Sequence, residues 1–183
     1  MYVADIDRVV QINTETAKIE KVYHVDNAKF LNDITIDTNG DIYVSDCFGN
    51  KIYKIANGKI NVWAESGFLA KPNGLLCTKE DLLVLNMESK TAFAINKLTK
   101  KSHQIFSGID NLDGIVSYGK NGYIVSGAWQ GQLFTIDLNG NKNLLIDLGK
   151  ENIITADIEY IENDHLLIVP TLNKTVIAYR LLH

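Results

Sequence analysis

Cysteine, proline and histidine are all scarce in this chain, at two, two and four residues among 183. Two thiols cannot build a structural zinc site, and His24, His103, His165 and His183 show no ligand spacing with them. Cys47 follows an apolar run and Cys77 lies inside one, so both read as small core or turn residues. Positive charge is thin as well: 18 Lys and Arg stand against 22 Asp and Glu, a net charge of -4. The lysines are scattered, so no basic stripe exists to follow a phosphate backbone, and nucleic acid is excluded as a partner. No apolar run approaches the ~20 residues that span a bilayer, and the first five residues lack the basic start and apolar stretch of a signal peptide. The chain as it stands reads as soluble and cytoplasmic, with periplasm or secretion the reading for a parent that carried an N-terminal signal. Nucleophile elbow, phosphate loop and dinucleotide fingerprint are all missing.

What the sequence does have is a repeat. Residues 31–55 run from the polar pair Asn32-Asp33 through an apolar stretch to the turn Thr38-Asn39-Gly40-Asp41, then Ile42-Tyr43-Val44-Ser45-Asp46 and a further run at Lys51 to Ile55. The pattern recurs at Pro72-Asn73-Gly74, at Leu112-Asp113-Gly114 and at Ala156-Asp157-Ile158. Taking Asp33, Asn73, Asp113 and Asp157 as openers gives spacings of 40, 40 and 44. Short strands at such a period, parted by Gly, Asn and Asp turns, mark propeller blades rather than helical repeats.

Taken in order, residues 1–25 match a blade without its innermost strand, and residues 32–64, 73–106 and 113–147 are full blades. Asn57-Gly58 is the hairpin dipeptide before the last strand of the first full blade. Residues 157–183 supply three strands of a last copy. No linker or low-complexity tract intervenes, so residues 1–183 form one all-β domain. Its 3 + 4 + 4 + 4 + 3 strands fall short of the about 24 that close six four-stranded blades. The expectation is an incomplete six-bladed β-propeller, three blades full and two partial, shortened at its N-terminus and prone to self-association through uncovered blade edges.

At Asn32-Asp33, Pro72-Asn73-Gly74 and Leu112-Asp113-Gly114 the sequence resembles the gluconolactonase, senescence marker protein and luciferin-regenerating enzyme family, and more loosely the NHL-repeat propellers. The first resemblance implies a six-bladed ring with a divalent metal in its central channel. It makes Asn73 and Asp113 metal ligands and Asn32 a contact to substrate, with Ca²⁺ the expected ion and Mg²⁺ and Zn²⁺ the alternatives. The family's first-blade Glu ligand has no counterpart here. Oxygen ligands of these types suit a hard cation, and equivalent residues of successive blades converge on one axis. A metal there would polarise a lactone carbonyl, with Asp113 accepting the proton.

Two functions follow, a metal-dependent hydrolase of a small lactone or ester and a non-catalytic propeller that binds a small ligand or a protein. Asp and Asn before a strand also tie down their own turns, and that is the role expected of Asp33 and Asp157. Asp5, Asp46 and Asn86, at strand ends, read as structural. Trp129, in the loop after a second strand, is the candidate for a pocket mouth that contacts substrate, against the commoner role of packing between blades.

Overall fold

A computed structural model of the chain describes residues 1–120 and 122–182. The architecture is all-β, five antiparallel sheets each built from strands consecutive in sequence. Blade 1 contains β1 (Tyr2–Asp5), β2 (Arg8–Asn13) and β3 (Lys18–His24); blade 2 contains β4 (Leu31–Ile36), β5 (Ile42–Asp46), β6 (Lys51–Ala56) and β7 (Lys59–Glu65). Blade 3 runs through β8 (Pro72–Cys77), β9 (Asp81–Asn86), β10 (Thr91–Asn96) and β11 (Ser102–Ser107), and blade 4 through β12 (Leu112–Ser117), β13 (Gly122–Gly127), β14 (Gln132–Asp137) and β15 (Lys142–Asp147). Blade 5 has β16 (Glu159–Ile161), β17 (Leu166–Pro170) and β18 (Val176–Arg180). These are the blades of a β-propeller, five of them, where the sequence led to an expectation of six. Among the described residues no helix is long and apolar enough to cross a membrane.

Blades form here because each strand alternates two apolar faces. In β9 the run Leu82-Leu83-Val84-Leu85 is buried throughout. Leu82 and Val84 pack with Tyr43 and Ile52 of blade 2, while Leu83 and Leu85 pack with Leu112 and Val125 of blade 4. Equivalent clusters join blade 1 to blade 2 through Val9, Tyr23 and Val44, and blade 4 to blade 5 through Ile124, Leu133 and Leu167. Full burial of a leucine of this kind contributes about 2 kcal/mol. On the outer faces of the end blades, Val3 of blade 1 and Val176 of blade 5 are exposed at 38% and 66%.

The turns have local causes. Gly40, Gly58 and Gly140 take φ of 81°, 71° and 81°, the left-handed conformation that the Asn-Gly dipeptides predict. Asp37 and Asp137 each accept two backbone N–H groups of their own hairpins. Asp46 is fully buried, and its carboxylate accepts N–H bonds from Lys29, Phe30 and Gly49, the structural role expected of it.

β4, β8 and β12 lie side by side as the innermost strands of their blades, with β16 beside β12. Each of the first three begins at the same end of the disc, where its first residue pairs with the last residue of the neighbouring strand: Leu31 with Asp46, Pro72 with Asn86, Leu112 with Gly127. That common end is where the polar openers of the repeat stand.

Candidate functional site

The inner strands carry a β-bulge at their starts. Between the pairs Leu31–Asp46 and Ile34–Val44, two residues, Asn32 and Asp33, oppose the single Ser45. Asn73 and Gly74 bulge in the same way opposite Leu85, and Asp113 and Gly114 opposite Ser126. Such an insertion turns a side chain out of the pleat and is common beside functional sites. Two serines hold the bulges in place: Asp33 N donates to Ser45 Oγ at 3.0 Å and Gly114 N to Ser126 Oγ at 2.8 Å.

This register corrects the alignment of the repeat. The counterpart of Asn73 and Asp113 is Asn32, and Asp33 occupies the place of Gly74 and Gly114. The glycines are required there by close approach rather than by φ. A Cβ on Gly74 would stand 1.9 Å from the backbone oxygen of Asp113, and one on Gly114 would stand 2.5 Å from Asp157 Oδ1. Blade 3 thus leans directly on the bulge of blade 4, and blade 4 on Asp157 of blade 5.

A chain of polar contacts crosses the blades. Asn32 Nδ2 donates to Asn73 Oδ1 at 2.6 Å, and Asn73 Nδ2 donates to the Leu112 carbonyl at 3.3 Å. The neighbouring Asn73 amide also favours the charged form of the Asp113 carboxyl. Asp33 bridges blades 2 and 3: its Oδ1 accepts from Ile34 N and its Oδ2 from Leu75 N, both at 2.6 Å. Asp157 Oδ1 accepts from Ile158 N at 2.9 Å, and its carboxyl lines the same cavity as that of Asp33. Asp33 and Asp157, expected only to close their own turns, also meet each other across the axis.

Burial without a cation sets the electrostatics. Asp33 lies deepest; burial first, then the charge of Asp157, lift its pKa well above the carboxylate range, against the pull of the Leu75 and Ile34 N–H groups. Burial raises Asp157 too, offset by its bonds to Ile158 N and Asp33. Both carboxyls therefore hold their protons more tightly than ordinary carboxyls, because two neighbouring like charges cannot both ionise cheaply. Asp113 is pushed up to about 6, by burial and then by Asp157, with the Asn73 hydrogen bond acting the other way.

Below these carboxyls an axial cavity of about 340 Å³ opens between the inner strands of blades 2 to 5. Asp33, Asp157, Glu159 and Glu162 supply its charge, and Leu75, Leu76, Ile115 and Val116 its apolar wall. No lysine, arginine or histidine lines it. Trp129 is 59% exposed on the turn between β13 and β14 and lines neither this cavity nor the larger one between blades 2 and 3. Both cysteines are unpaired thiols that burial lifts to about 11.

The donor set was tested for the divalent ion that the resemblance implies, and it does not fit. Asn73 has its oxygen on Asn32 Nδ2 and its nitrogen on the Leu112 carbonyl, so the oxygen that would ligate an ion is already engaged. Reversing the amide would set its oxygen against the Leu112 carbonyl. Among the described residues no three His, Cys, Asp or Glu side chains are grouped to hold a metal, whereas Ca²⁺ takes about 6–8 oxygens.

No family model matches the chain, and no curated relative matches it. Solved structures do. Virginiamycin B lyase from Staphylococcus aureus is similar over 97% of this chain, at TM-score 0.69 and 16% identity. A structure of a nidogen/laminin complex is similar over 98%, at TM-score 0.83 and 12% identity. A protein of unknown function from Bacteroides caccae is similar over 97%, at TM-score 0.69 and 14% identity. At these identities the likeness is one of fold, and it places the chain among the β-propeller proteins. The chain spans 64% of the length of the lyase and 73% of the nidogen/laminin chain.

Proposed function

We propose that this propeller is a ligand-binding module whose axial cavity takes a small organic cation with an apolar body, such as an alkylammonium or alkylguanidinium group. The observation that carries the reading is the pairing of four carboxylates with a leucine, isoleucine and valine wall in one cavity that contains no basic side chain. An entering cation replaces the missing counter-charge, lets Asp33 and Asp157 ionise, and buries its apolar part against the wall. Binding therefore strengthens as pH rises and the raised Asp33 and Asp157 carboxyls lose their protons.

Calorimetric titration with butylammonium, butanol and butyrate tests this. Butylammonium alone should bind, more tightly at pH 7.5 than at pH 5 and unchanged by a chelator. Equal heats for butanol, or binding lost with Asp157→Asn at no site but a chelator-sensitive one, would sink the reading.

A second reading is hydrolysis of a small lactone or ester, the metal-dependent activity implied by the family resemblance, which this donor set would support only if Asn73 let go of Asn32 to free its oxygen. Its support is the Asp113 carboxyl, held at about 6 and so able to take up a proton near neutrality. Lactone hydrolysis that follows added Ca²⁺ and disappears in Asp113→Asn supports it; no turnover with Ca²⁺, Mg²⁺ or Zn²⁺ counts against it. The lyase's own activity is a property of that protein and adds only that this fold accommodates an enzyme.

A further inference from the structure

A second cavity, about 500 Å³, lies between blades 2 and 3 at the end of the disc opposite Asn32, bounded by the tips of their hairpins. Its lining divides into equal numbers of opposite charges, Asp37, Asp41 and Glu80 against Lys54, Lys79 and Lys97. Lys54 and Asp41 consume each other in an ion pair at 2.6 Å. Asp37 and Lys97 do not. Their side chains are 3% and 12% exposed, yet Lys97 Nζ stands 3.6 Å from Asp37 Oδ2, too far for a hydrogen bond.

The two buried groups are each half satisfied. Asp37 Oδ1 accepts the N–H groups of Asn39 and Asp41, but among the described residues nothing donates a hydrogen bond to Oδ2. Lys97 Nζ donates to the Thr78 carbonyl at 2.8 Å and keeps two further protons to give. A carboxylate oxygen and an ammonium on two mostly buried side chains, side by side and both open to a cavity, are a receptor for a molecule that carries the two complementary charges close together. An anion alone would meet Asp37, and a cation alone would meet Lys97.

We infer that this cavity is a second ligand site, for a small zwitterion of the α-amino acid kind. The ligand ammonium donates to Asp37 Oδ2 and its carboxylate accepts from Lys97 Nζ, with Lys79 and Glu80, both exposed, at the rim. The side chain of the ligand projects toward Leu98, which is 91% exposed. Nothing in this site overlaps the axial one.

The test is titration of the whole chain with L-serine, with ethylammonium and glycolate as single-charge controls, followed by backbone amide NMR. L-serine should give saturable shifts at Asn39, Asn96 and Lys97, and the controls none. Asp37→Asn keeps an oxygen for the turn N–H groups and removes only the charge, so the fold is retained while affinity falls about tenfold or more, as does affinity in Lys97→Met. Asp113→Asn should leave L-serine binding untouched. No saturable shift, an equal response to glycolate or ethylammonium, or shifts confined to Ile34 and Leu75 on the axis would each overturn the inference, and none of these outcomes bears on butylammonium binding.

Discussion

Replacing Asp113 by asparagine should make the protein more stable at neutral pH. Burial and the neighbouring Asp157 move this carboxyl from the ordinary 3.8 to about 6. A raised native pKa means that the folded chain holds a proton the unfolded chain has released, so stability is intact below the ordinary value and falls as pH rises toward 6. The full penalty above that point is about 3 kcal/mol, at ~1.4 kcal/mol per pKa unit. Asparagine has the same shape, can accept from Asn73, and carries no charge. It also removes a charge that helps to raise Asp33. Urea unfolding followed by the fluorescence of Trp63 and Trp129, at intervals from pH 4 to pH 8, measures the difference. The variant should match the parent near pH 4 and exceed it by about 2–3 kcal/mol at pH 7.5, which for a chain of this size raises Tm by roughly 5–10 °C. A variant that is less stable at pH 7.5, or whose advantage does not grow with pH, refutes the account of the axis.

Gly74→Ala places a methyl 1.9 Å from the Asp113 backbone oxygen and must part blades 3 and 4, so a loss of about 1–3 kcal/mol is expected in urea midpoints, against little effect from Ala at the open Gly67. Asp46→Ala removes a buried carboxylate that accepts the partly buried N–H groups of Lys29, Phe30 and Gly49, and should cost about 2–3 kcal/mol; retention of parental stability would show that water replaces the carboxylate. Self-association through the outer faces of the end blades should appear as sedimentation that depends on concentration and is removed by Val3→Lys with Val176→Lys, neither of which touches the core. A single monomeric boundary at every concentration would count against it.

The propeller was legible because its signals are local. Asn39-Gly40 and Asn57-Gly58 announce hairpins, and runs such as Leu82-Leu83-Val84-Leu85 announce strands buried on both faces. The site was legible only in part. Spacing drew attention to Asn73 and Asp113 and to Asn32, but a bulge inserts a residue that a periodic template does not see, and the template therefore matched Asp33 to Asn73. The Asp33–Asp157 contact joins the first full blade to the last and leaves no trace in local sequence. Neither does the Asp37–Lys97 pair at the second cavity, which depends on how two hairpin tips of different blades face each other. The orientation of the Asn73 amide, which decides against the metal, is set by a backbone carbonyl and so is invisible in side-chain identity.

Equivalent positions on the axis offer an internal comparison. Blades 2 and 3 place asparagine at the first bulge residue, and Asn32 and Asn73 satisfy the contacts between blades with no charge at all. Blade 4 has Asp113 at that position and blade 5 brings Asp157 to the same axis, where burial penalises both carboxylates, Asp157 further penalises Asp113 and Glu159 further penalises Asp157. Asparagine would serve the architecture as well and leave the fold more stable at neutral pH. Charge that weakens the fold where a neutral isostere would suffice is what a site selected for binding or proton transfer requires. Asp157 lines, with Asp33, Glu159 and Glu162, a cavity that has no basic side chain, and the organic cation proposed above would bring the counter-charge it lacks.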